Sequence, residues 1–310
     1  MHVDQKLKMT NRRQFLSVLS GVAVAPLLAT VPPAFPISCN SYNWITFYGR
    51  QNKNWGADSD ACMADLAKTG IKAYEPGLSS VQEARNLGPF LKKYGIAMPS
   101  VYVNSVLHEA KEAEKSIASV LEIAEVVKAL GTKIIVTNPN PIKWGGPEIK
   151  NDAELIVQAQ SMEKLGKALR QRGLTLAYHT HDVELRAGAR EFHHVMLNTT
   201  PENVSFCFDV HWVYRGSSNS QVAVFDVLKL YGKRIVELHV RQSVGGVWSE
   251  TFGEGDIDYA RLARQLKALD LRPLVVIEQC VEDKTPNTMD GVQAHIKDLA
   301  AVKSIFAQIL

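Results

Sequence analysis

Residues 171–184 read Gln171-Arg172-Gly173-Leu174-Thr175-Leu176-Ala177-Tyr178-His179-Thr180-His181-Asp182-Val183-Glu184. A polar helix end meets a glycine, which adopts the left-handed conformation without steric cost and so closes a helix. An apolar run follows and stops abruptly at a histidine. The same rhythm recurs at Lys68-Thr69-Gly70, Lys93-Tyr94-Gly95 and Ala129-Leu130-Gly131. Outward from this segment, runs rich in Val, Ile and aromatics mark eight candidate strands: 44–48, 71–75, 97–103, 133–137, 174–179, 204–209, 235–240 and 274–278. Helix-like amphipathic stretches lie at 81–94, 111–130, 153–172 and 259–269, with a last one from about 289 to 310. Strand–helix alternation repeated eight times favours a closed parallel α/β barrel, (β/α)8, over an open sheet. Such a barrel typically needs about 250 residues, and the chain has 310.

The first part of the chain does not share this pattern. Lys6, Lys8, Arg12 and Arg13 form a basic head, and an apolar, proline-punctuated run follows from Phe15 to about Phe35. A basic region followed by an apolar stretch with small residues describes a secretory leader rather than a membrane anchor. Asn11-Arg12-Arg13-Gln14-Phe15-Leu16 resembles a twin-arginine export signal. Residues 1–38 are therefore expected to be an export signal, and 39–310 a single catalytic domain in the periplasm, with no membrane association once the signal is removed. The leader holds four basic residues and one acidic one, so the remainder carries 31 of each and the formal charge of +3 belongs to the leader. A neutral domain has no electrostatic case for nucleic-acid binding. The four cysteines, at 39, 62, 207 and 280, lack the spacing of a zinc knuckle or redox pair.

In a (β/α)8 barrel the active site sits at the C-terminal ends of the strands. Four strand ends carry metal-capable groups there: Tyr178-His179-Thr180-His181, Phe208-Asp209-Val210-His211, Leu238-His239-Val240-Arg241 and Ile277-Glu278-Gln279. A charge closing a buried strand is costly unless it is paired or bound to a cation, although a lone Asp can also cap the next helix. Two imidazoles and two carboxylates from adjacent strands would meet at one mouth. Mixed nitrogen and oxygen donors suit one divalent Mn²⁺, Zn²⁺, Co²⁺ or Fe²⁺ ion better than Ca²⁺.

These segments together resemble the xylose-isomerase-like barrel superfamily of sugar isomerases and epimerases, over roughly residues 40–305. The resemblance rests on Tyr178 through Glu184, on Asp209-Val210-His211-Trp212-Val213, on the seventh and eighth strand ends, and on the loop Gly253-Glu254-Gly255-Asp256-Ile257-Asp258. It implies that His179, Asp209, His239 and Glu278 are the metal ligands. It also implies that His181 lies beside the substrate or just behind the ligands, and Glu278 or His181 is expected to remove the proton. Glu75, Glu184, His211, Trp212, Arg241 and Glu254 are further candidates for substrate binding.

The expected function is that of a metal-dependent sugar isomerase or epimerase that abstracts a proton beside a carbonyl through an enediolate. The sequence departs from the family pattern in two places. His179 stands where those epimerases usually place a glutamate, and Arg241-Gln242 replace a Lys-Asp pair. Epimerisation wants an acid/base group on each face of the substrate carbon, and only Glu278 of the usual glutamate pair is kept. A lyase or hydratase cleaving a keto-sugar or keto-glycoside by β-elimination needs one base and is the alternative. A non-catalytic sugar-binding barrel, using its tryptophans to stack on sugar, would leave the four strand ends unexplained. The expected partner is a small sugar or sugar derivative, and a homo-oligomer is compatible with this reading.

Overall fold

The structure is a computed structural model and describes residues 36–310. The expected export signal lies outside the described residues apart from its last three, and Ser38 already belongs to the first strand. Eight parallel strands form the barrel: β1 (Ser38–Asn40), β2 (Ala73–Glu75), β3 (Ser100–Tyr102), β4 (Ile134–Thr137), β5 (Thr175–Tyr178), β6 (Val204–Asp209), β7 (Ile235–Val240) and β10 (Leu274–Ile277). They pair in the order β2-β1-β10-β7-β6-β5-β4-β3. The remaining seam, between β2 and β3, is joined by parallel bridges from Ala73 to Ala97 and from Gly77 to Tyr102. A two-stranded hairpin, β8 (Ser243–Val244) with β9 (Val247–Trp248), stands on the loop that follows β7.

Helices surround the barrel: α1 (Ser41–Arg50), α2 (Ser59–Lys68), α3 (Val81–Tyr94), α4 (Ala110–Ala129), α5 (Asp152–Gln171), α6 (Arg186–Leu197), α7 (Val210–Gly216), α8 (Gln221–Tyr231), α9 (Tyr259–Ala268) and α10 (Gly291–Phe306). Among the described residues none is long and apolar enough to cross a membrane. Their ends follow local chemistry. Ser80 caps α3, which closes on Gly95 at φ 63°, and reciprocal side-chain and backbone bonds open α5 at Asn151/Glu154 and α10 at Asp290/Gln293.

One expected element is wrong. Residues 44–48 form no strand; they lie inside α1, and the first strand is the polar triplet Ser38-Cys39-Asn40. Trp44, Ile45, Phe47 and Tyr48 have strand-like composition, but the Asn40 side chain accepts from Tyr42 N and starts a helix. The buried residues Ser41, Trp44 and Phe47 then fall at intervals of three, a helical stripe. The fully buried Trp44 ring stacks on Trp55 and on His295 of α10, so tertiary packing overrides the propensity of the segment.

Two cores result. The larger fills the space between strands and helices. The smaller occupies the barrel lumen and contains Ile134, Val136, Ala177, Cys207, Leu274 and Val276. Side chains alternate along a strand, so the lumen residues Ala177, Cys207 and Val276 put His179, Asp209 and Glu278 on the same inward side, one layer higher. Register agrees, because Asp209 and Val276 both stand opposite His239.

Close approach of α5 to the start of β6 depends on Gly166. A Cβ placed there would lie 2.0 Å from the Asn203 backbone oxygen. Gly166→Ala is expected to destabilise the fold by about 1–3 kcal/mol through overpacking; a lower urea midpoint at unchanged slope checks this.

Candidate active site

The four strand-end residues converge. His179, Asp209, His239 and Glu278 are all buried, and each offers a ligand atom within 4.8 Å of the others. His179 Nε2 lies 3.5 Å from Asp209 Oδ2, and His239 Nδ1 lies 3.4 Å from Glu278 Oε2. His179 Nε2, Asp209 Oδ2 and His239 Nδ1 have no hydrogen-bond partner among the described residues. Buried polar atoms are normally satisfied. Three orphans aimed at one point, with a fourth carboxylate beside them, fit a divalent cation with two nitrogen and two oxygen donors.

The far side of each ligand is held. Asp209 Oδ1 accepts from Trp212 N at 2.7 Å, so this residue caps α7 and still leaves Oδ2 for the site. His179 Nδ1 meets the Tyr102 hydroxyl at 3.1 Å. His239 Nε2 faces two carboxylates, Glu237 Oε1 at 2.9 Å and Glu75 Oε2 at 3.1 Å, and Asn40 donates to that Glu75 oxygen. Burial, reinforced by the nearby Glu75 charge, pushes Glu237 up, towards its neutral form. A carboxylate bonded to one imidazole nitrogen turns the other towards a metal and strengthens it as a donor.

Arg241 is 1% exposed. Its Nη2 donates to Glu278 Oε2 at 2.6 Å and its Nε to the Glu278 carbonyl at 2.9 Å. Trp248 and Trp212 flank the guanidinium, with ring centroids 4.3 and 5.1 Å away. Burial opposes ionisation of Glu278, but Arg241 and then His239 outweigh it and hold the carboxyl well below its usual range.

A cleft of about 560 Å³ opens above this floor. His181, Trp212 and Glu278 line it, together with Tyr42, Tyr102, Trp144, Lys143 and Arg186. The His181 ring lies 4.8 Å from that of His179 and between those of Trp144 and Trp212. Its Nδ1 has no partner among the described residues. Burial, then the neighbouring His179, lowers its basicity well below that of a free imidazole.

Five residues expected to bind substrate stand off the cleft wall. Glu75 is behind His239, and Arg241 is behind Glu278. Glu184 braces the loop after β5, its Oε2 accepting from His181 N at 2.7 Å and its Oε1 from Asn138 at 2.8 Å. His211 is fully buried beside Tyr214 and Trp248, and Glu254 is exposed on the loop before α9. Sequence reasoning overlooked Glu237, although it precedes His239 by two and so shares its face of β7. It also overlooked Tyr102 and Arg186, whereas Trp144, one of the tryptophans expected to stack on sugar, does line the cleft.

Residues 63–302 match the family described as xylose isomerase-like TIM barrel. The chain belongs to this family. Its sequence is 23% identical over 248 residues to an inosose dehydratase of Clostridium perfringens, covering 71% of this chain and 81% of that protein. The fold matches a D-allulose 3-epimerase from Methylomonas sp. solved with D-allulose, at TM-score 0.66 and 16% identity over 88% of this chain and 98% of that one. It also matches a xylose isomerase-like TIM barrel protein from Mycobacterium smegmatis solved with magnesium, at TM-score 0.65 and 12% identity over 89% and 98%. The protein is thus an enzyme of the xylose isomerase-like barrel family, with a buried His/Asp/Glu cluster that can hold a metal.

Glu75→Gln removes one of the two carboxylates behind His239. Affinity for Mn²⁺ is expected to fall by about 10- to 100-fold, the usual effect of losing such a support. Calorimetric titration of the metal-stripped protein measures it, and an unchanged affinity would assign Glu75 to packing alone.

Proposed function

We propose that this enzyme is a divalent-metal-dependent lyase that eliminates a β-oxygen substituent from a neutral ketone on a sugar or cyclitol ring. The observation that carries this reading is His181 on the cleft wall, whose Nδ1 has no hydrogen-bond partner among the described residues. That Nδ1 stands beside the metal ligands and is uncommitted, whereas the Glu278 carboxylate is already ion-paired to Arg241. A cation held by His179, Asp209, His239 and Glu278 would polarise a ketone and the adjacent oxygen and acidify the C–H bond next to the carbonyl.

His181 accepts that proton at Nδ1. The C–H electron pair forms a carbon–carbon double bond, and the β-carbon–oxygen bond breaks. His181 then passes that proton to the departing oxygen, which leaves as water or an alcohol. The Trp144 and Trp212 rings lie against His181, and Glu184 fixes the loop that carries it. The inosose dehydratase relatives supply the precedent for elimination at a ring ketone. Export, expected from the leader, belongs to the same proposal, since neutral sugars are met outside the cytoplasm.

A second reading is epimerisation or isomerisation. It is favoured by Glu278 Oε1, which lines the cleft and accepts no hydrogen bond among the described residues, and which would then serve as the second acid/base group. Proton NMR in D₂O on ring ketones separates the two. Elimination gives an unsaturated ketone; epimerisation gives deuterium at an inverted carbon with every oxygen retained. His181→Ala is expected to lower turnover about 10²- to 10⁴-fold, the usual worth of a general base, with metal content unchanged. Full activity in that variant would move the base elsewhere.

A further inference from the structure

A second ligand-sized space adjoins the cleft. It measures about 660 Å³ and lies among α2, α3, α4 and the ends of β2 and β3. Binding cavities for small molecules typically occupy roughly 300–1,000 Å³. The two spaces share Ser41, Ile45, Gly77, Tyr102 and Asn104 in their walls. Tyr102 is the joint between them: it borders both, and its hydroxyl reaches the metal ligand His179.

The wall chemistry differs between the two. Lys143 and Arg186 line the first cavity, but among the described residues no Lys, Arg or His lines the second. The only ionisable carboxyl on the second wall is Glu83, already engaged by the Ser79 backbone and hydroxyl. A phosphate or carboxylate would find no counter-charge there. Ser59, Ser119 and Asn104 make no side-chain hydrogen bond among the described residues, and Trp55 and Tyr74 add aromatic surface. Hydroxyl and amide groups beside aromatic rings suit a neutral, polyhydroxylated ring.

We propose that the second cavity is a subsite for the neutral second ring of a two-ring substrate, whose ketone-bearing ring sits over the four ligands and whose linking oxygen passes Tyr102. This rests on the lyase reading and names its leaving group. The C–H beside the ketone gives its proton to His181, its electron pair forms the new carbon–carbon double bond, the linking carbon–oxygen bond breaks, and His181 passes the proton to the linking oxygen. The second ring departs as an alcohol into the cavity that already holds it. Binding energy from a remote part of a substrate raises the rate at the reacting centre, so the subsite makes the enzyme a discriminator between glycosides and free sugars.

The test compares 3-ketocellobiose with 3-ketoglucose on the metal-loaded enzyme, and on Ser119→Trp, which fills the cavity from α4. The wild type is expected to show kcat/KM at least tenfold higher for the two-ring ketone, and the variant is expected to bring the two substrates to within about twofold. Equal values for both ketones in the wild type, or an advantage that the variant leaves intact, overturn the subsite while the lyase reading stands. If neither ketone reacts, the lyase reading fails, and calorimetric titration with unoxidised cellobiose decides the subsite by itself. Binding lost in Ser119→Trp supports it, and no binding, or binding that the variant retains, overturns it.

Discussion

The cost of placing charge in a barrel lumen governs this end of the molecule. His179, Glu237, His239, Arg241 and Glu278 are each no more than 5% exposed, as are Glu75 and Asp209. An isolated buried charge is expensive enough that proteins pair it, neutralise it or give it to a metal. All three solutions occur here in adjacent layers. Arg241 pairs with Glu278, burial and the Glu75 charge push Glu237 towards its neutral form behind His239, and three orphaned ligand atoms face one another. A substitution in any one layer therefore reaches the others through His239, whose two nitrogens face different layers.

The barrel was readable because its central strands are apolar runs that stop at a polar residue. The segments 204–209 and 235–240 coincide with β6 and β7, and the site emerged from the same abrupt endings. The first strand was hidden for the converse reason. Ser38-Cys39-Asn40 is short and mostly polar, and it is a strand only because β2 and β10 flank it. The neighbouring aromatic-rich segment looks like a strand by composition, yet the Asn40 cap and a threefold burial period make it a helix.

The ligand set was legible, with His181 and Trp212 of the cleft wall, and the rest of that wall was not; distance along the chain explains the difference. His179, Asp209, His239 and Glu278 are fixed by strand register, which period-two alternation reveals. Tyr42, Trp144 and Arg186 reach the cleft from α1, from the segment after β4 and from the start of α6. Their positions depend on how the barrel closes. Glu75 and Glu184 were recognised as important, but burial assigns them to bracing the site.

The tryptophans share one further property. The chain has five. Trp144 and Trp212 border the main cleft, Trp248 packs against its Arg241, and Trp55 borders the second cavity with Trp44 stacked upon it at 4.7 Å. No indole lies remote from the catalytic end to give a constant background. Intrinsic emission is therefore an optical readout of this end of the barrel, and the unlabelled protein carries its own reporter of cleft occupancy.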